Sequence, residues 1–387
     1  MSSTPALAFP PFGPDHEALR RTVRDWVYKE LHPHRKTWDD AGEWPARELI
    51  QQLAQMGCLG IRYPEKDGGQ GLDWWFHTAF VEELAHARNG GVVMSILVHT
   101  DISTPVLSEI GTPEQKEEFL IPAMRGELIG ALGVTEPDCG SDVAAIQTTA
   151  RIDGGDYIID GAKTYITNGA FADFIVLAVR TGAAGHAGIS LVLFPTNTPG
   201  FSVGKKLDKL GTRAVDSSML HFDGCRIPRR NLLGVENGGF IHIMQNFQGE
   251  RLVGALMATG CMEVSLQDAL EYGRTRKAFN RPIGSFQVWR HKFAEHLTSL
   301  QAAKLVNYAA VARMQTGEDP TLQVSMAKLF AGDLAQKVLY DCLQFHGGAG
   351  FIEEYDIARA CRDMRLMPIG GGTSEIMKEI IGKWSGL

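Results

Sequence analysis

Six cysteines (Cys58, Cys139, Cys225, Cys261, Cys342, Cys361) are scattered through 387 residues, and no two stand in a C-x-x-C spacing. Neither a disulfide framework nor a zinc site is therefore suggested, which fits a reducing compartment. Cations are also scarce: 38 Lys and Arg against 45 Asp and Glu give a formal net charge of −7. Without a basic stripe to neutralise phosphates, a nucleic-acid binder is not expected. No run approaches the ~18 apolar residues of a membrane span. The opening MSSTPALAFPPFGPDHEALRR has no basic start before an apolar core and is too proline-rich for an amphipathic transit helix. A cytoplasmic protein without membrane attachment is the expectation. Nothing repeats internally, no segment is of low complexity, and no strand is followed by G-x-G-x-x-G, so a Rossmann nucleotide site is not supported.

What is present is an ordinary globular composition, 44% apolar and 21% charged, in a chain long enough for two or three domains. Residues 1–125 read as helical: Leu19, Val23, Trp26 and Val27 recur at helical spacing, as do Leu49, Leu53 and Met56. Thr112-Pro113-Glu114-Gln115 is a helix start with its own capping box, and residues 91–104 read as a buried helix carrying small polar groups. Residues 126–233 change to β texture, with runs at Tyr157, Lys163, Phe174 and Ile189 separated by turn signals at 153–156, 160–161, 181–188 and 198–200. A compact antiparallel barrel or sandwich is expected there. Residues 234–387 return to helix, with Asn237 capping a long element that Gly273 should stop and Asp319-Pro320 starting a later one, which suggests a four-helix bundle.

Two glycine clusters stand near the C-terminus. Gly370, Gly371 and Gly372 precede Thr373-Ser374-Glu375 and an apolar helical run. Glycine lets backbone approach a ligand closely, and a Thr-capped helix start turns free N–H groups outwards, which suits an anion. Taken alone, this is equally an ordinary loop before a terminal helix. Upstream, Gln344-Phe345-His346-Gly347-Gly348-Ala349-Gly350-Phe351 is a second cluster after a helix. Together they resemble the C-terminal flavin-binding signature of the acyl-CoA dehydrogenase family, and the helical, β, helical order is similar to that family's α+β multidomain architecture over nearly the whole chain.

The resemblance implies FAD and an acyl-CoA substrate. Leu132, Val134, Thr135, Gly140 and Ser141 of LGVTEPDCGS would lie against the flavin, with Ser141 also reaching the acyl-CoA. Tyr165, Ile166 and Thr167 of KTYITNG would form a second flavin strand, Tyr165 standing where many members have Trp. Arg276, Phe279, Phe286 and Gln287, with Gln344, Gly347 and Gly348, would clamp the FAD of a neighbouring subunit, Arg276 pairing with its pyrophosphate through a guanidinium fork. Thr373 and Glu375 belong to the same cofactor set. The implied assembly is a homo-oligomer, a tetramer, passing electrons to an electron-transfer flavoprotein.

Most members carry the catalytic Glu two places before that Thr, where this chain has Gly371. A subgroup that includes isovaleryl-CoA and long-chain acyl-CoA dehydrogenases carries it on an earlier helix, in a context similar to Gly249-Glu250-Arg251-Leu252 here. Glu250 is therefore the expected base, taking the α-proton while Cβ delivers hydride to the flavin. Phe247, Arg251, Gly371, Gly372, His99 and Thr100 are the implied acyl-CoA contacts, with the Gly371 N–H offered to the thioester carbonyl. Glycines at 370 and 371 suggest room near Cα and Cβ, hence a branched or isoprenoid-like acyl group, with a medium-chain one also open. An oxidase or flavin monooxygenase on the same fold, and a catalytically silent flavin-binding subunit, stay open as alternatives; for Glu250 itself the plain alternative is a helix ion pair.

Overall fold

The structure is a computed structural model that describes residues 9–387. The first eight residues of the stretch considered as a leader lie outside the described residues. In the N-terminal region, the helix Pro14–Trp26 begins on proline and buries Val23 and Trp26. It lies along the helix Trp74–Leu84, which Asp73 caps by accepting the amides of Trp75 and Phe76. Arg20 and Arg24 bond Glu82 and Glu83 between the two. The capping box at Thr112 forms as its sequence implies, Thr112 and Gln115 exchanging bonds of 3.2 and 3.0 Å.

One helix corrects the composition argument. Gly90–Ile110, mean hydropathy 1.3, is long and apolar enough to cross a membrane. It is instead the central core helix of this region, 89% of its apolar window being buried inside the protein. Its middle turns, Val98–Ser103, widen to a π-type geometry. Thr100, Ser103 and Thr104 hydroxyls bond carbonyls four or five residues back, and Pro105 has no amide to give, so the regular ladder loosens there.

The middle region is one eight-stranded sheet: β1 Gly130–Gly133, β2 Thr149–Asp153, β3 Asp156–Ile166, β4 Phe174–Arg180, β5 Ile189–Pro195, β6 Phe201–Lys206, β7 Ser218–Pro228 and β8 Leu232–Leu233. The spatial order is β6-β7-β3-β2-β4-β5-β8, with β1 beside β4. Pairing is antiparallel as expected except at β4, which meets β1 and the start of β2 in parallel. Asp160-Gly161 is no turn: β3 runs through it with a register shift. Gly161 (φ +147°) is needed because a Cβ there would come within 2.6 Å of Thr148 Oγ1. Phe194, Phe222, Tyr157 and Ile175 lead the sheet's own apolar core.

The C-terminal region is built on the 37-residue helix Gly239–Thr275. It packs on Gln287–Gln315 and Thr321–His346, and Ser374–Trp384 closes on the latter. Gly273 does not stop the long helix: it is buried inside it, where a Cβ would meet the Phe345 ring at 2.6 Å. Close helix packing explains that glycine, and the chain leaves the helix at Arg276.

The three regions meet at Asp363, on the short helix Asp356–Met364. Its carboxylate accepts the Gly90 amide at 2.8 Å and the Thr212 amide at 2.5 Å, joining C-terminal, N-terminal and sheet regions through one buried side chain. Asp363→Ala strands both buried amides and should cost about 2–4 kcal/mol of stability. A denaturant midpoint unchanged from wild type in that variant would show that the joint carries no such weight.

Candidate active site

Glu250 stands about three turns into the Gly239–Thr275 helix and is half-buried. Its Oε2 is fully enclosed and has no hydrogen-bond partner. Burial pushes the carboxyl up to about 7, against the opposing pull of Arg251 and Lys328. An intrahelical ion pair with Arg251 is not what forms: Arg251 Nε donates to Gly371 O at 3.0 Å, and its guanidinium lies 5.6 Å from the Phe247 ring centre.

The carboxylate faces the C-terminal glycines. A Cβ built on Gly371 (φ +64°) would lie 3.2 Å from Glu250 Oε1. The space that a glycine opens at 371 is thus taken by the Glu250 side chain, and it no longer argues for a branched substrate. Lys328, from the Thr321–His346 helix, donates to Gly372 O, so two successive carbonyls of the glycine turn each face a buried cation. The Gly371 N–H has no acceptor among the described residues. Thr373 Oγ1 caps the last helix by accepting the Ile376 amide at 3.3 Å, with Glu375 exposed in its first turn.

A second group gathers at the edge of the sheet. Thr135 O accepts the Thr164 amide at 2.9 Å, bringing the Leu132–Thr135 end beside the Tyr165–Thr167 end of β3. Tyr165 takes φ +60° and is 68% exposed, its ring free of the sheet. Gly140 and Ser141 are exposed, and a Cβ on Gly140 would meet nothing nearer than Thr135 Cγ2 at 4.0 Å. Ile166 is buried in the sheet core, so only its backbone faces outwards. Beneath lies a buried ion pair: Lys163 Nζ meets Glu136 at 2.8 Å and Val134 O at 3.0 Å, while Glu136 accepts the amides of Gln147 and Thr148.

The third group lies at the far end of the long helix. Arg276 is exposed and in no ion pair among the described residues. Phe279 is 89% exposed, edge-on to Phe286 at 6.2 Å, with Gln287 exposed beside it. Gln344, Gly347 and Gly348 are exposed, and a Cβ on either glycine would meet nothing within 4 Å. Tyr272 stacked on His346 at 4.4 Å joins this stretch to the Arg276 turn. Among the described residues no hydrogen bond or ring contact links this group to the sheet group. An unpaired guanidinium, an exposed aromatic and open glycine backbone suit a dinucleotide.

Two expected contacts fail. His99 is fully buried, Nδ1 accepting the Gly130 amide and Nε2 facing Ala123 O, each at 3.2 Å, and burial lowers its pKa to about 4. Thr100 is committed to Ile96 O and Asp101. Neither has a polar atom left for a ligand; both serve the loosened helix. Conversely, the buried charges Glu136, Lys163 and Lys328 hold these loops without any motif that assigns them a role. Their one signal is a charged residue inside an otherwise apolar or β-forming run, which does not by itself name its partner.

Three family profiles match: acyl-CoA dehydrogenase N-terminal domain over residues 13–127, middle domain over 131–225 and C-terminal domain over 237–386. The long-chain specific acyl-CoA dehydrogenase of Sus scrofa mitochondria is 37% identical over 375 residues, covering 96% of this chain and 86% of that protein. Mitochondrial isovaleryl-CoA dehydrogenase of Oryza sativa subsp. japonica is 36% identical, covering 96% and 91%. Among solved structures, a probable acyl-CoA dehydrogenase from Mycobacterium abscessus superposes with a TM-score of 0.94 at 40% identity, over 97% of this chain and 99% of that one. The chain belongs to the acyl-CoA dehydrogenase family of FAD-dependent oxidoreductases that act on acyl-CoA.

Proposed function

We propose that this protein converts an acyl-CoA thioester to the trans-2-enoyl-CoA, with Glu250 as the base that removes the α-proton. The observation that carries this reading is the enclosed, unpartnered Glu250 carboxylate set against Gly371. FAD, when bound, supplies the acceptor for the hydride leaving Cβ. The sheet group, Thr135, Ser141, Tyr165 and Thr167, would hold its ring system, and Arg276 with the Gln344–Gly348 backbone would hold the dinucleotide end. The free Gly371 N–H donates to the thioester carbonyl, which acidifies Cα–H. Arg251 ties base and carbonyl donor into one unit, because it follows Glu250 in sequence and bonds Gly371 O. Phe247 and Arg251 then flank the acyl-CoA.

Among the described residues no hydrogen bond or ring contact joins the dinucleotide group to the sheet group, which supports a site completed by a second chain. The C-terminal helices also expose Val288, Leu297, Leu305, Met326, Phe330 and Tyr340, apolar surface that association would bury. A homotetramer in the cytoplasm, handing electrons to an electron-transfer flavoprotein, completes the proposal. Light scattering that finds a monomer with stoichiometric FAD would refute the shared site. Rapid reoxidation of the substrate-reduced flavin in air would assign the protein to the oxidases instead.

Three measurements bear on the residues. Glu250→Gln keeps shape but accepts no proton, so anaerobic flavin bleaching by acyl-CoA should slow by ~10²–10⁴-fold while binding persists. Full bleaching in that variant would place the base elsewhere. Because the carboxyl's pKa sits at about 7, kcat/KM should climb as Glu250 ionises, about tenfold per unit below the pKa and level above it. A profile flat from mildly acidic to mildly alkaline pH contradicts this. Arg276→Ala removes a phosphate fork of about 1.5–3 kcal/mol and should lower FAD retention roughly 10- to 100-fold with the fold intact; circular dichroism and the flavin-to-protein absorbance ratio separate the two.

A further inference from the structure

Glu250 does not stand alone on its helix face. Gly254, Met257, Cys261, Val264, Asp268, Tyr272 and Thr275 follow it at spacings of three and four, forming one stripe along the Gly239–Thr275 helix. From Met257 onwards that stripe lines a cavity of about 450 Å³, lined on its other sides by Val93, Arg88 and the helix Asp356–Met364. The volume is that of a small-molecule site. Between base and cavity the helix presents Gly254, where a Cβ would meet nothing nearer than Met367 Sδ at 4.0 Å. Met257, Met364 and Met367 stand between base and cavity, and as unbranched thioethers they repack readily.

We infer that this cavity receives the distal part of the acyl chain, and that the substrate is a long acyl group ending in an uncharged terminus. The inference rests on the acyl-CoA reading of the Glu250 site. Seven residues of helix separate Glu250 from Met257, about 10 Å of rise. An extended chain covers that in roughly eight carbons, given a C–C bond of ~1.5 Å and a near-tetrahedral angle. Acyl groups of up to about ten carbons end before the cavity, and longer ones enter it.

Charge decides which terminus is accepted. The cavity holds Asp268, Glu271, Glu354, Asp356 and Asp363. Its guanidinium, Arg88, is consumed by Asp268 through bonds of 2.8 and 2.7 Å and stands 3.8 Å from Asp356. His32 is held neutral, burial and Arg35 lowering its pKa to about 4. An ω-carboxylate would find no free cation there and several acids, whereas a methyl or hydroxyl terminus meets Val264, Ala360 and the Ser265 hydroxyl.

The test is a calorimetric titration of the FAD-loaded Glu250→Gln protein, which binds without turnover, with saturated acyl-CoAs of 4 to 18 carbons. Affinity should keep rising beyond ten carbons, hexadecanoyl-CoA binding at least tenfold tighter than octanoyl-CoA. The ω-carboxy hexadecanoyl analogue should bind at least tenfold weaker than its methyl-ended counterpart. Cys261→Phe, and separately Ser265→Phe in case the first misfolds, should each cut the hexadecanoyl-to-hexanoyl affinity ratio about tenfold. Affinity that levels off at eight carbons, or a ratio unmoved in a folded variant, overturns the inference. If the chain-length series holds while no acyl-CoA bleaches the flavin of the wild-type protein, the cavity stands and the dehydrogenase reading falls; bleaching with a series that levels off gives the reverse.

Discussion

The Glu250 carboxylate fills the space beside the Gly371 backbone, and the candidate active site is organised by that close approach. With Glu250 Oε1 within 3.2 Å of where a Cβ at 371 would stand, a side chain at 371 would crowd the carboxylate that arrives from the long helix. The positive φ at Gly371 and Gly372 adds a second reason, since an L side chain is strained there. The helix therefore supplies the acid and the loop supplies only backbone. The loop's carbonyls are held by Arg251 and Lys328, while its Gly371 amide has no acceptor among the described residues.

That arrangement is useful only if loop and helix keep their separation, and buried charge does much of the holding. Asp363 gathers amides from two other regions, and Lys163 with Glu136 anchors the loop that carries Ser141. Such groups are weak net stabilisers because desolvation opposes their attraction. Their effect is geometric: each is satisfied in one arrangement of the regions, and displacement leaves a buried charge unpaired. The Glu250 carboxyl is the exception. Its enclosed Oε2 has no partner, and burial raises its pKa.

The glycines divide by what surrounds them. Gly273 and Gly161 exist for close packing, against Phe345 and Thr148, and the sequence pattern had suggested a helix stop and a turn. Gly140, Gly347 and Gly348 have empty space where a side chain would be, at the places where the family resemblance puts a dinucleotide. The same letter thus marks packing in one case and an open backbone surface in the other, and only the neighbouring atoms tell which.

The order of helical, β and helical regions was legible in the sequence because periodicity and turn residues are local properties. So was the pairing of Glu250 with Gly371: they stand 121 positions apart, each departs from the commoner family pattern, and the structure brings them face to face. His99 and Thr100, expected at the acyl-CoA, show the limit of that reading. A buried helix with small polar groups looks alike whether those groups face a ligand or their own backbone, and here the backbone took them. The parallel pairing at β4, the partners of Lys163, Lys328 and Asp363, and the cavity beyond Met257 were decided by tertiary structure alone. Each depends on which distant segment approaches a given face, and no local pattern of residues records that distance.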